Sequence, residues 1–183
     1  MIVAIANRMC GGSEAIMRAL TAMRMGSGRK VLLLDAAPAS EPEVQLGAPP
    51  AHIGGATTLQ ATMAACVADY DDVLIDTSGR DPSAQHAAML CARKVVVPVR
   101  VDQVDLERQY PLIARLNAAR MFNPGLAVLF VCVADQGYPS RAQLAQVRAY
   151  VGQVMSASLV GTVTLATPDG AAMHALYRQL FIL

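Results

Sequence analysis

Six short apolar runs are spaced along the chain, each followed by a segment of helical period or by a long crossover. They are 2–7 (IVAIAN), 30–35 (KVLLLD), 72–77 (DVLIDT), 94–99 (KVVVPV), 126–133 (LAVLFVCV) and 158–163 (SLVGTV). A strand with one face in water alternates apolar and polar residues; these runs do not. They therefore predict strands buried on both faces. Their alternation with helices predicts an α/β fold, a doubly wound, mainly parallel sheet with helices on both faces. Helical spacing covers 13–25, where Ile16, Ala19, Leu20 and Met23 recur, and then 59–69, 82–92, 103–122, 140–155 and 169–181. Gly26 and Gly28 stop the first helix, Pro82 opens the third, and Ser140 is an N-cap for the fifth. Pro98 predicts a strand end or a bulge, and Pro111 a kink or a restart. Residues 36–58, rich in proline and glycine, read as mostly irregular.

The 183 residues are 54% apolar, enough for one domain spanning 1–183 with a sizeable core. No apolar run approaches the roughly 18 residues that span a membrane. The start, MIVAIAN, lacks the basic lead and cleavage site of a signal peptide, so a cytoplasmic protein without membrane attachment is expected. The net charge of +1 does not by itself single out nucleic acid. Lysine occurs only at Lys30 and Lys94; the other basic residues are arginines. Cys66, Cys91 and Cys132 lie in apolar segments and read as core. Cys10 lies in a glycine turn, where an electropositive setting would make it reactive. His52, His86 and His174 have no partner at catalytic spacing.

Ligands of doubly wound sheets bind at the carboxyl ends of the strands, so the residues just after each run matter most. After the first come Asn7, Arg8, Met9, Cys10, Gly11, Gly12 and Ser13. The second closes on Asp35, and the third on Asp76 followed by Thr77, Ser78, Gly79 and Arg80. Arg100, Asp102 and Asp105 follow the fourth. A glycine turn entering a helix offers backbone N–H groups to phosphate oxygens, and a strand-end aspartate holds Mg²⁺ directly or through water. Asp35 and Asp76 are the candidate Mg²⁺ positions.

These residues resemble the ParA/MinD family of deviant P-loop ATPases, most closely its small plasmid-partition members. The stretch VAIANRMCGGSEAIMRALTAMRMGSGRKVLLLDAAP is similar to the family's first strand, loop, helix and second strand. ADYDDVLIDTSGRDPSAQHAAMLCARKVVVPVRVDQVDL is similar to its third strand, turn, helix and fourth strand, with Asp105 where the family places an aspartate. The resemblance implies a P-loop NTPase-like fold, ATP or ADP with Mg²⁺ as cofactor, and a homodimer. It further implies a small partner protein of the ParB/ParG sort and non-specific DNA, in plasmid or chromosome segregation or DNA transfer.

The departures fall on the chemistry. The family loop K-G-G-x-G-K-[ST]-[ST] falls on Met9 to Ile16, and only Gly11 matches a specified position. Met9 replaces the lysine that reaches across the dimer; Glu14 replaces the P-loop lysine, and Ala15 the metal-binding hydroxyl. In the second-strand motif D-x-D-P, Ala37 stands where the water-positioning aspartate belongs. Each lost donor of this kind costs roughly 10²–10³ in rate. The expectation is a vestigial phosphate loop of Arg8, Gly11, Gly12, Ser13 and Glu14, with nucleotide weakly bound or absent. On this reading Ser13 caps the helix and the Glu14 carboxylate takes the phosphate's place. Two alternatives stand beside it: an active ATPase using Arg8 as the cation, and a regulatory pseudo-ATPase paired with an active relative. Arg80 and Asp81 read as switch residues or a solvated turn. Arg93, Arg115, Arg120, Arg141 and Arg148 read as a DNA-contacting face or a scattered surface. Residues 38–50 read as an interaction loop or a plain crossover.

Overall fold

All six runs become strands of one parallel sheet in the computed structural model, which describes residues 1–6, 12–36, 51–52, 56–66, 68–77, 81–101, 106–135, 137–154, 157–164 and 170–182. The strands are β1 (Ile2–Ile5), β2 (Val31–Asp35), β3 (Ala51–His52), β4 (Asp72–Asp76), β5 (Lys94–Arg100), β6 (Ala127–Ala134) and β7 (Ala157–Thr164). Between them run α1 (Ser13–Gly26), α2 (Ala56–Cys66), α3 (Pro82–Cys91), α4 (Leu106–Phe122) and α5 (Arg141–Val151), with α6 (Ala171–Phe181) last. The order across the sheet is β3-β2-β4-β1-β5-β6-β7, and every pairing is parallel. Strand β3, at the β2 edge, falls inside the stretch read from sequence as irregular. Two residues are too short to leave a period.

Successive residues of the central strands serve opposite cores, which is why these runs carry no polar alternation. Val95, Val97 and Val99 pack with Leu112 and Leu116 of α4 and Tyr150 of α5, while Val96 packs with Ile16 and Leu20 of α1 and Leu176 of α6. Helices α2 to α5 therefore cover one face, and α1 and α6 the other. Cys132 is core, as expected; Cys91 is half-buried at the end of α3. Burial raises both thiols above their ordinary pKa. The Cys66 side chain and all of Cys10 lie outside the described residues. Among the described residues no helix is long and apolar enough to cross a membrane.

One proline expectation is corrected and a second is narrowed. Pro98 is interior to β5, opposite Val131 of β6. The β1–β5 register ends at Ile5 opposite Val96, and the Val96 carbonyl accepts from Ala6 at 2.9 Å. Alternation then points Pro98's missing N–H to the flank where β1 has already ended. The sheet's bulge lies one pairing further out, between β6 and β7 at Phe130/Val131. Pro111 is carried inside α4, which runs through it without a restart.

Ser140 does cap α5: its hydroxyl accepts from the Gln143 N–H at 3.2 Å, and the Gln143 side chain accepts from the Ser140 N–H at 2.9 Å. Ser140→Ala lowers stability by about 1 kcal/mol, read as a shifted urea midpoint at unchanged slope.

Candidate functional site

β1, β2 and β4 end together at the carboxyl edge. Ile5 stands opposite Asp76, and Asp76 opposite Asp35, so the two aspartates close neighbouring strands side by side, both part-buried. Backbone bonds fix that edge: Ala36 N–H donates to the Asp76 carbonyl at 2.9 Å, and Thr77 N–H to the Ile5 carbonyl at 3.0 Å. The buried Thr77 hydroxyl donates to the same Ile5 carbonyl at 2.8 Å. Behind it, the Gln85 amide donates to the Thr77 carbonyl at 3.4 Å, and the Arg115 guanidinium donates to the Gln85 side-chain oxygen. This Thr77–Gln85–Arg115 chain was not assigned from sequence. Its signal was Gln85, a polar residue among Ala84, Ala87, Ala88 and Met89 on the buried side of α3.

The entry to α1 differs from the sequence expectation in one respect. Gly12, not Ser13, is the N-cap: it takes φ 111°, a left-handed conformation that glycine adopts without Cβ strain, and its carbonyl accepts from Ile16 at 3.0 Å. Ser13 is already helical and buried, and no side chain caps the helix. Glu14 sits in the first turn as expected, but its carboxylate is two-thirds exposed and pairs with Arg18, one turn along, at 2.7 Å. Ala15 contributes only a methyl group. Met9, Arg8, Cys10 and Gly11 lie outside the described residues, as do Ala37, Ser78, Gly79, Arg80, Asp102, Asp105 and 38–50.

Asp81 caps α3: its carboxylate accepts from the Ser83 hydroxyl at 2.6 Å and the Ser83 N–H at 2.8 Å. These bonds, the hydroxyl's foremost, hold the Asp81 carboxyl below its ordinary pKa. Arg100 is paired with Asp135 through both guanidinium nitrogens, tying the ends of β5 and β6. Of the five arginines considered for DNA, Arg115 is engaged with Gln85, and Arg120 donates to the Leu126 carbonyl at 2.9 Å. Arg93, Arg141 and Arg148 are exposed.

The donor set divides. Two neighbouring strand-end carboxylates fit a hydrated Mg²⁺. The first turn of α1 does not fit a triphosphate, because it offers a carboxylate and a methyl group where cation and hydroxyl are needed. Among the described residues no group of three or more His, Cys, Asp or Glu side chains gathers as a metal site.

The architecture matches known structures along nearly the whole chain. Cobyrinic acid a,c-diamide synthase from Mycobacterium smegmatis, with bound ADP and magnesium, superposes with a TM-score of 0.71 at 16% identity, over 97% of this chain and 91% of that one. MinD cell division protein from Aquifex aeolicus gives 0.66 at 14% identity, over 98% and 95%. A plasmid partition protein from Borrelia burgdorferi gives 0.60 at 12% identity, over 96% and 95%. The fold is that of the ParA/MinD-type P-loop ATPases. No protein-family model and no curated protein matches the chain by sequence. In this ParA/MinD-type fold Asp35, Asp76 and the start of α1 belong to the carboxyl edge, where doubly wound sheets take their ligands. The likeness is one of architecture.

Proposed function

We propose that this chain is a single-domain, ParA-like partition-type protein with a degenerate nucleotide site, working by binding rather than by hydrolysis. Its partners on this reading are a second copy of itself and a small partner protein, in segregation or transfer of DNA. The observation that carries it is the first turn of α1. There Glu14 and Ala15 stand where a phosphate-binding lysine and a metal-binding hydroxyl are required, and Glu14 is engaged with Arg18. A carboxylate beside a polyphosphate repels it, by about 4 kcal/mol per charge pair at 4 Å near a protein surface. Asp35 and Asp76 would keep their positions on the sheet edge without serving a reaction.

Isothermal calorimetry of the purified chain with ATP and Mg²⁺ tests this. The expected result is no saturable heat below millimolar nucleotide. Micromolar binding, or steady phosphate release above buffer, overturns the reading.

A further inference from the structure

Over its described side chains, from Tyr110 to Phe122, helix α4 is apolar on both sides. Its inner side, Leu112, Ile113, Leu116 and Ala119, is buried in the core. Its outer side, over the side chains the structure describes, carries Tyr110, Pro111, Ala114, Ala118, Met121 and Phe122, and no charge. Tyr110 is 63% exposed, Met121 78% and Phe122 77%. A helix on a protein surface ordinarily turns charged or polar residues outward, and a contiguous exposed apolar stripe marks an interaction site.

The stripe has a shape. Tyr110, Ala114, Ala118 and Phe122 follow one i, i+4 row, about 18 Å long at 1.5 Å per residue. Two large side chains bracket two alanines, leaving a saddle into which the ridge of another helix fits. An open depression of about 280 Å³ lies between the end of α3 and the loop after α4, lined by Leu90, Cys91, Arg93, Asn123 and Gly125.

Its surroundings have a sign. Helices α2 to α5 cover this face of the sheet, and among the described side chains of α3, α4 and α5 there is no carboxylate apart from the Asp81 cap at the start of α3. Among the described side chains of these helices the charged ones are Arg115, Arg120, Arg141 and Arg148, the last two exposed on α5, the next helix along the face; Glu107 and Arg108, in the first turn of α4, lie outside the described side chains. Arg93 at the rim of the depression adds a further positive charge. A second copy seated here would bring like charges together, which interfaces avoid. A DNA backbone would satisfy the arginines and leave Tyr110, Met121 and Phe122 against phosphates.

We infer that the outer face of α4 is the docking surface for an amphipathic helix of a partner protein, apolar along one stripe and acidic on its flanks. The stripe supplies the buried contact and the arginines supply orientation and charge selection. The inference stands on α4 and α5 alone and does not need the phosphate-loop reading.

The test uses fluorescein-labelled 20-residue helical peptides sharing one leucine stripe, with flanks of Glu, Gln or Lys, titrated into the intact protein. The Glu peptide binds at least tenfold more tightly than the Lys peptide. Met121→Asp with Phe122→Asp abolishes that binding. Arg141→Glu with Arg148→Glu inverts the preference, with both variants keeping the wild-type melting profile. Equal affinity for Glu and Lys peptides overturns the proposal, as does binding indifferent to the α4 substitutions. Three further results reassign the face and likewise overturn it. They are concentration-dependent self-association, binding of phosphatidylglycerol vesicles, or binding of duplex DNA, each abolished by Met121→Asp with Phe122→Asp.

Discussion

Asp72→Ala lowers the stability of this protein by about 3 kcal/mol, the cost of leaving the part-buried Arg24 without its fully buried carboxylate partner. Asp72 opens β4 and is fully buried. It accepts from the Arg24 Nε at 2.7 Å and from the Met1 amino group at 3.1 Å, with Arg29 3.6 Å away. Arg24 in turn donates to the Tyr177 hydroxyl at 3.3 Å and lies 4.6 Å over the Phe181 ring. One carboxylate thus joins α1, β4 and α6 at the amino edge of the sheet, opposite the candidate site. Its removal leaves Arg24 desolvated and loosens the docking of α6. Thermal melts should fall by roughly 10 °C for a chain of this size; a fall under about 2 °C would show that the cluster contributes no more than a surface pair.

The pH dependence of the same group has a definite sign. Burial pulls the Asp72 carboxyl upward, but the hydrogen bonds from Arg24 and the amino group outweigh it and hold it below the ordinary 3.8. The unfolded chain therefore binds that proton more tightly than the folded one. The stabilisation is complete above the ordinary carboxylate pKa and is lost as pH falls through 3.8 toward the folded-state value. Asp72→Asn should flatten the acid limb of the stability curve, as measured by urea titrations from about pH 3 to 7.

On the proposed reading, Glu14→Lys combined with Ala15→Thr raises the affinity for ATP–Mg²⁺ on the order of 10²-fold or more. The swap at Glu14 replaces a repelling charge with an attracting one beside the phosphates, and the introduced threonine supplies the missing metal-facing hydroxyl. The cost to the fold is small. The Glu14–Arg18 pair is exposed and worth about 0.5 kcal/mol, and the helix-start charge adds about 0.3–1 kcal/mol. Calorimetry on the double variant beside the wild type reads the difference. An unchanged affinity would mean that positions outside the first turn block the nucleotide.

The candidate site was legible where it depends on local pattern. Asp35 and Asp76 close apolar runs, and the rule that ligands gather at carboxyl ends brought them together before any coordinates did. The register Asp35 opposite Asp76 makes them neighbours. Glu14 and Ala15 were readable because a helix start has fixed positions. Ser13 was misassigned as the cap because serine is a favoured cap in general, whereas the φ of 111° at Gly12 moved the turn one residue earlier.

The layered arrangement follows from the apolar runs alone. Short runs that are apolar at every position need strands buried on both faces, under two helical coats. Which polar residues meet was settled by long-range packing. Arg24 finds Asp72 and Tyr177, Arg115 finds Gln85, and Arg100 finds Asp135, across separations that no local period encodes. It also decided that α4 buries one apolar side and exposes the other. Period fixes which residues share a helix face, but which face meets the sheet depends on what packs beneath it.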